Sequence, residues 1–256
     1  MHITLFQYDI TWADKHANFR KIEDLLKQPT VKTDLLVLPE MFSTGFCVEN
    51  PELAETMTDE TVKILQNWAV TYQIAITGSF VATDGTCNYN RGFFVFPNAH
   101  IVTADKRHLF GVGGESKYFK QGDKKLLVHY KGFNIQLLIC YDLRFPVWSR
   151  NVNNSYDLLI YVANFPSSRI YNWDVLLKAR AIENQCFVCG VNRIGTDGLG
   201  IDYNGHSVLV DYYGRVVSSC NENKTQAISC TIHLDDLHRF REKSPFWKDA
   251  DSFTLD

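Results

Sequence analysis

Two hydrophobic periods alternate along the chain. His2 to Tyr8 reads as a strand, and Phe19, Ile22, Leu25 and Leu26 then recur at helical spacing, which predicts a helix over Lys15 to Lys27. Leu35-Leu36-Val37-Leu38 is a continuous apolar run stopped by Pro39, the pattern of a strand buried on both faces. Val62, Leu65, Trp68 and Ala69 place a second helix over Thr61 to Tyr72, and Ile74 to Phe80 and Gly92 to Phe96 read as strands.

The same grammar returns after Phe133. A strand runs to Ile139, a helix is expected to open after Pro146, and Asp157 to Val162 is another buried run. Trp173 to Asn184 is amphipathic, with Trp173, Leu176, Leu177, Ala181 and Asn184 on or near one face. Phe187 to Val191, Ser207 to Asp211, Val216 to Ser219 and Ala227 to Ile232 read as strands. Leu234 to Lys243 is a short charged helix, and an aromatic, polar tail follows. Strands alternate with helices and no Pro/Gly/Ser-rich linker intervenes, so residues 1–256 are expected to form a single α/β domain. Two successive strand–helix–strand halves predict two packed sheets with helices outside.

Composition narrows the function classes. A formal net charge of -3 without any basic block gives no reason to expect nucleic acid or an anionic membrane as partner. Met1-His2-Ile3-Thr4-Leu5-Phe6-Gln7 has neither a basic leader nor a long apolar stretch, so neither a signal peptide nor a membrane span is expected there. The seven cysteines are odd in number and mostly set in apolar surroundings, which favours reduced thiols and a cytoplasmic location. The eight histidines are dispersed, no H-E-x-x-H or dinucleotide fingerprint occurs, and Gly111-Val112-Gly113-Gly114 follows no strand. No metal and no cofactor is therefore expected. Cys186 and Cys189 form a C-x-x-C inside an apolar strand and read as core packing.

Three segments carry possible chemistry. In Leu137-Leu138-Ile139-Cys140-Tyr141-Asp142-Leu143-Arg144-Phe145-Pro146 an apolar strand runs directly into a cysteine. A thiol at that corner projects from the carboxyl edge of a sheet, where open α/β sheets bind ligands. The backbone N–H groups beyond it are free to stabilise an oxyanion or lower the thiol pKa. A buried inert cysteine ending a strand is the competing reading. Glu40 follows the run ending at Leu38-Pro39 and is either a general base or a carboxylate favoured by a helix N-terminus. Lys106, in Asp105-Lys106-Arg107-His108, is either a solvated loop residue or a cation that favours a thiolate and meets an oxyanion. Glu115 follows Gly113-Gly114, whose freedom permits the carboxylate to turn inward.

Taken together, Leu38-Pro39-Glu40-Met41-Phe42, Asp105-Lys106-Arg107-His108-Leu109-Phe110 and Ile139-Cys140-Tyr141-Asp142-Leu143-Arg144-Phe145-Pro146 resemble the three signature blocks of the nitrilase (carbon–nitrogen hydrolase) superfamily, in order and in spacing. The resemblance implies an α-β-β-α sandwich, a Glu40-Lys106-Cys140 triad and an assisting carboxylate at Glu115. It also implies a homodimer, with helices near Val147 to Asn151 and Trp173 to Asn184 across a two-fold axis and the tail 244–256 at the subunit interface.

Ala163-Asn164-Phe165-Pro166, Lys178-Ala179-Arg180-Ala181-Ile182-Glu183-Asn184-Gln185, Asn192-Arg193-Ile194-Gly195-Thr196-Asp197-Gly198 and Tyr203-Asn204-Gly205-His206-Ser207 look like the ω-amidase branch, which hydrolyses the terminal amide of 2-oxoglutaramate. Phe165 departs from the tryptophan common in bacterial-type relatives. The expected partner is a small amide, with Tyr141, Arg144 and Phe165 as its binding residues. Arg144 either presents its planar fork to a substrate carboxylate or forms a structural ion pair. Arg180 with Glu183 reads as a structural ion pair, and Asp142 as structural. Nitriles, carbamoylated amines, acyl transfer and a silent binding scaffold stay open as alternatives.

Overall fold

The computed structural model describes residues 1–28 and 33–255. In the first half, β1 (His2–Gln7), α1 (Lys15–Leu26), β2 (Leu35–Val37), α2 (Glu60–Tyr72), β3 (Ala75–Thr83), β4 (Asn88–Val95) and β5 (Ile101–Asp105) precede a one-turn helix, α3 (Glu115–Tyr118). The second half holds β6 (Leu126–Tyr130), β7 (Phe133–Ile139), the single turn α4 (Pro146–Ser149), β8 (Leu158–Ala163), α5 (Ile170–Asn184) and β9 (Phe187–Asn192). There follow β10 (Ile194–Thr196), β11 (Asp202–Asn204), β12 (Val208–Val210), β13 (Val216–Ser219), β14 (Gln226–Thr231) and α6 (Leu234–Lys243).

The strands form two six-stranded sheets, ordered β14-β1-β2-β3-β4-β5 and β13-β12-β9-β8-β7-β6, with β10 and β11 as a separate hairpin. Side-chain alternation explains the layers. Ile3, Leu5, Leu35, Val37, Ala75 and Phe94 of the first sheet share one core with β7, β8 and β9 of the second. Their neighbours Phe6, Leu36, Ile76 and Phe93 point the other way, onto Phe19 and Ile22 of α1 and Leu65 and Trp68 of α2. On the far face of the second sheet, α5 lies against β9, and a Cβ at Gly190 would stand 2.5 Å from Leu177 and 2.8 Å from Trp173. The result is the expected four-layer α-β-β-α sandwich in one domain.

Local signals account for most boundaries. The Asp14 side chain accepts from Ala17 N at 2.9 Å and opens α1, and Pro146 opens α4. Differences arise where polar residues join a ladder. β3 runs on to Thr83 and β4 begins at Asn88, because Asp84 Oδ1 accepts from Thr86 N and Cys87 N at 2.8 Å and closes a hairpin. β6 was not anticipated; it is an edge strand whose Leu127 is exposed. Nor was the β10–β11 hairpin, too short to show a period. The tail runs over the surface, where Trp247 N donates to Gln185 Oε1 at 3.2 Å and Phe246 is 66% exposed. Asp256 lies outside the described residues, and among these no helix is long and apolar enough to cross a membrane.

Candidate active site

Four strand ends converge on one edge of the sandwich. β2 is parallel to β3, β3 antiparallel to β4, and β4 antiparallel to β5, so β2 and β5 point the same way. Glu40 follows β2 and Lys106 directly follows β5. In the other sheet β7 and β8 are parallel, with Cys140 directly after one and Asn164 directly after the other. Open α/β sheets place ligands at such carboxyl ends.

The backbone at both corners is left-handed, with φ +45° at Met41 and +44° at Cys140, a conformation that costs a non-glycine residue on the order of 1–3 kcal/mol. Both corners are braced. Ser79 Oγ accepts from Met41 N at 2.9 Å. Beyond Cys140 the chain enters a 3-10 turn in which Asp142 accepts from Ile139 N and from His108 N, each at 3.0 Å. Asp142 is thus structural, and it ties the Lys106 loop to the cysteine turn. Arg180 pairs with Glu183 at 3.0 Å, as the sequence suggested, and its other nitrogen donates to Leu143 O at 2.6 Å in that same turn.

Lys106 is held between two carboxylates. Its Nζ lies 2.8 Å from Glu40 Oε1 and 2.9 Å from Glu115 Oε2, and all three side chains are fully buried. Glu115 reaches inward because Gly114 adopts φ +80°, and its Oε2 also accepts from Phe110 N at 2.6 Å. Asn90, which sequence reasoning missed, donates from Nδ2 to Glu40 Oε1 at 2.8 Å and to Glu115 Oε1 at 3.0 Å. Asn164 closes the far side of Glu40, its backbone N donating to Oε2 at 2.8 Å and its Nδ2 to Glu40 O at 2.7 Å. Burial drives the Glu115 carboxyl up, against the lowering effect of Lys106. Burial also acts to lower Lys106, but Glu115 and Glu40 outweigh it and hold the ammonium charged.

The Cys140 thiol sits beside this cluster, 3.9 Å from Asn164 O. Burial and the adjacent Glu40 carboxylate raise its pKa well above the ordinary thiol value, and Lys106 only partly offsets them. Lys106 thus acts in the direction the sequence suggested, and burial with Glu40 outweighs it. Glu40 is the carboxylate that acts on the thiol most strongly.

A cavity of about 110 Å³ opens over the thiol, well below the roughly 300–1,000 Å³ of sites for drug-sized ligands. Tyr141, Arg144 and Phe165, the expected binding residues, all line it. Phe46, Phe110 and Leu199 make its wall largely apolar, and Tyr203 donates to Asp197 at 2.9 Å. Arg144 lies over the Phe165 ring, 5.8 Å from its centroid, and among the described residues forms no ion pair. Arg169, which was not anticipated, also lines the cavity. Asn164 was legible by the rule that singled out Cys140, since it directly ends an apolar run; Asn90 and Arg169 carry no local signal. Cys186 and Cys189 are fully buried free thiols, consistent with core packing. Among the described residues no group of three His, Cys, Asp or Glu side chains is placed to hold a metal ion.

Comparison with known proteins identifies the family. Residues 2–242 match the carbon-nitrogen hydrolase family. The chain is 39% identical over 255 residues to the omega-amidase YafV of Escherichia coli, covering 100% of this chain and 98% of that protein. It is 30% identical to the 2-oxoglutaramate amidase of Bacillus subtilis, over 96% of each. A solved CN-hydrolase superfamily protein from Xanthomonas campestris, carrying an arsenic adduct in its active site, superposes with a TM-score of 0.97 at 37% identity, covering 100% of this chain and 99% of that one. With a sandwich of this topology and a family match over nearly its whole length, the chain belongs to the carbon–nitrogen hydrolase family.

Proposed function

We propose that the protein is an ω-amidase that hydrolyses the terminal amide of a short 2-oxo dicarboxylic acid monoamide, 2-oxoglutaramate first and 2-oxosuccinamate second. The reading is carried by one observation: a thiol and a lysine paired to two buried carboxylates open onto a small cavity that also holds two arginines which, among the described residues, have no carboxylate partner. The names and identities of the relatives support the substrate class.

In the proposed reaction Cys140 Sγ attacks the carboxamide carbon while its proton passes to Glu40. Lys106 Nζ and the Tyr141 backbone N–H stabilise the oxyanion. As the tetrahedral intermediate collapses, the C–N bond breaks and Glu40 returns the proton to the departing nitrogen, releasing ammonia and leaving a thioester. Water then attacks that carbon and Glu40 takes a proton from it. The C–S bond breaks, the thiol regains a proton, and the dicarboxylate leaves. Glu115 holds Lys106 in place throughout. A thiol suits the route because it is a strong nucleophile and a good leaving group from a thioester.

The test is ammonia release by the purified protein from a panel of 2-oxoglutaramate, 2-oxosuccinamate, neutral amides, nitriles and carbamoylated amines. Preference for the oxo-acid amides is expected. A preference for neutral amides, nitriles or carbamoyl compounds would overturn the assignment.

A further inference from the structure

The cavity over Cys140 contains more positive charge than its reaction centre uses. Lys106 is neutralised by two carboxylates at 2.8 and 2.9 Å. Asp197, the acidic residue on the cavity wall, is engaged within its own loop: Oδ1 accepts from Leu199 N at 2.9 Å and Ile201 N at 3.0 Å, and Oδ2 from the Tyr203 hydroxyl at 2.9 Å. Two guanidinium groups remain, Arg144 and Arg169. Among the described residues neither has an ion pair or a side-chain hydrogen bond; each lies over a ring, Arg144 5.8 Å from the Phe165 centroid and Arg169 4.9 Å from that of Phe110. By contrast Arg91, Arg180, Arg193 and Arg241 each hold a carboxylate. A ring face attracts the cation without using its N–H donors, which stay available to an anion.

Arg169 is delivered by the same loop as Asn164 and Phe165. That loop turns through Ser167–Arg169 into α5, and Ser167 Oγ anchors it by donating to Asp202 O at 2.5 Å. The anchored loop carries one group against Glu40 and a second, cationic group on the cavity wall.

We propose that Arg169 is a specificity-determining residue that receives the substrate's distal carboxylate together with Arg144, so that the pair selects dicarboxylic acid monoamides over neutral amides. The inference rests on the ω-amidase reading and extends it to a residue without a motif. Two forks on one carboxylate satisfy more of its lone pairs than one, which matters in an apolar cavity where an unpaired charge is costly.

The experiment is Arg169→Gln, with Arg169→Lys beside it, assayed on 2-oxoglutaramate and on a neutral amide of the same chain length. For 2-oxoglutaramate kcat/KM is expected to fall roughly tenfold or more, chiefly through KM, as for loss of a charge-assisted contact, while the neutral amide changes by less than about twofold. Arg169→Lys should recover part of the loss. A second arm needs no turnover: Cys140→Ala protein, with and without Arg169→Gln, is titrated calorimetrically with glutarate, and affinity should drop by a similar factor. An unchanged substrate ratio, an equal loss on both amides, or an unchanged glutarate affinity would overturn the proposal. If the wild type released ammonia from no amide, the ω-amidase reading would fall, and the glutarate titration would still decide whether Arg169 receives a carboxylate.

Discussion

Asn90 Nδ2 stands 2.8 Å from Glu40 Oε1 and, with the same two protons, 3.0 Å from Glu115 Oε1. One amide thus fixes the spacing of two buried carboxylates that would otherwise repel each other, while Lys106 supplies the charge between them. Asn90 is a positioning residue. Asn90→Ala should lower kcat/KM by roughly 10- to 100-fold, the scale of one or two hydrogen bonds to charged groups. Its hydrogen bond also holds the Glu115 pKa down, so removing it should carry that carboxyl higher still. The acid limb of the pH–rate profile is then expected to move to higher pH. A purely structural role would lower the rate without moving the limb.

Cys140 is predicted to be indispensable. Cys140→Ala and Cys140→Ser should each abolish ammonia release with an unchanged circular dichroism spectrum, because an alcohol is far harder to ionise than a thiol. Burial and Glu40 raise the thiol pKa above its ordinary value of 9.0, so the thiolate forms only at higher pH. Alkylation of Cys140 by iodoacetamide, followed by mass spectrometry, should therefore keep accelerating as pH rises through 9. A plateau reached near pH 7 would contradict that direction.

Arg144→Lys keeps the charge but loses the planar fork that lies over Phe165. Efficiency for 2-oxoglutaramate should fall roughly tenfold or more, and that for a neutral amide of equal length far less. The measured quantity is the ratio of the two efficiencies; no change in it removes Arg144 from substrate binding.

Asp142 bridges the Lys106 loop and the cysteine turn, accepting from His108 N and Ile139 N at 3.0 Å each and lying 2.8 Å from His108 Nδ1. Asp142→Ala leaves buried donors without a partner. We expect a loss of about 1–3 kcal/mol per orphaned group and a melting midpoint lowered by several degrees. Activity should decline with it, since the strained φ of Cys140 loses its brace. A melting curve identical to wild type would remove Asp142 from this role.

We propose a homodimer formed through α4 and α5. Tyr171, Val175 and Ile182 repeat on one stripe of α5 and are 76%, 44% and 55% exposed, with Val147 of α4 at 51%. Light scattering should give twice the 29.4 kDa chain mass at micromolar concentration, and Ile182→Asp should give a monomer. A monomeric wild type would overturn this assembly and the interface role of the tail.

The sequence by itself determined most of the secondary structure of both halves, β6 and the β10–β11 hairpin apart, and made three of the groups at the sheet edge legible. Continuous apolar runs ending at Leu38, Ile139 and Ala163 mark buried strands, and whatever follows such a run must emerge at a carboxyl edge, so Glu40, Cys140 and Asn164 were in principle all legible. What the runs do not encode is which ends meet. That followed from strand order and from the packing of one sheet on the other, which bring Glu40 and Asn164, 124 residues apart, into hydrogen-bond contact at 2.8 Å. Asn90 and Arg169 were invisible because each acts through neighbours distant in sequence. The direction of the Cys140 pKa was not legible for the same reason: Lys106 does act to lower it, but burial and the facing carboxylate, which outweigh the lysine, exist only once the two sheets have closed on each other.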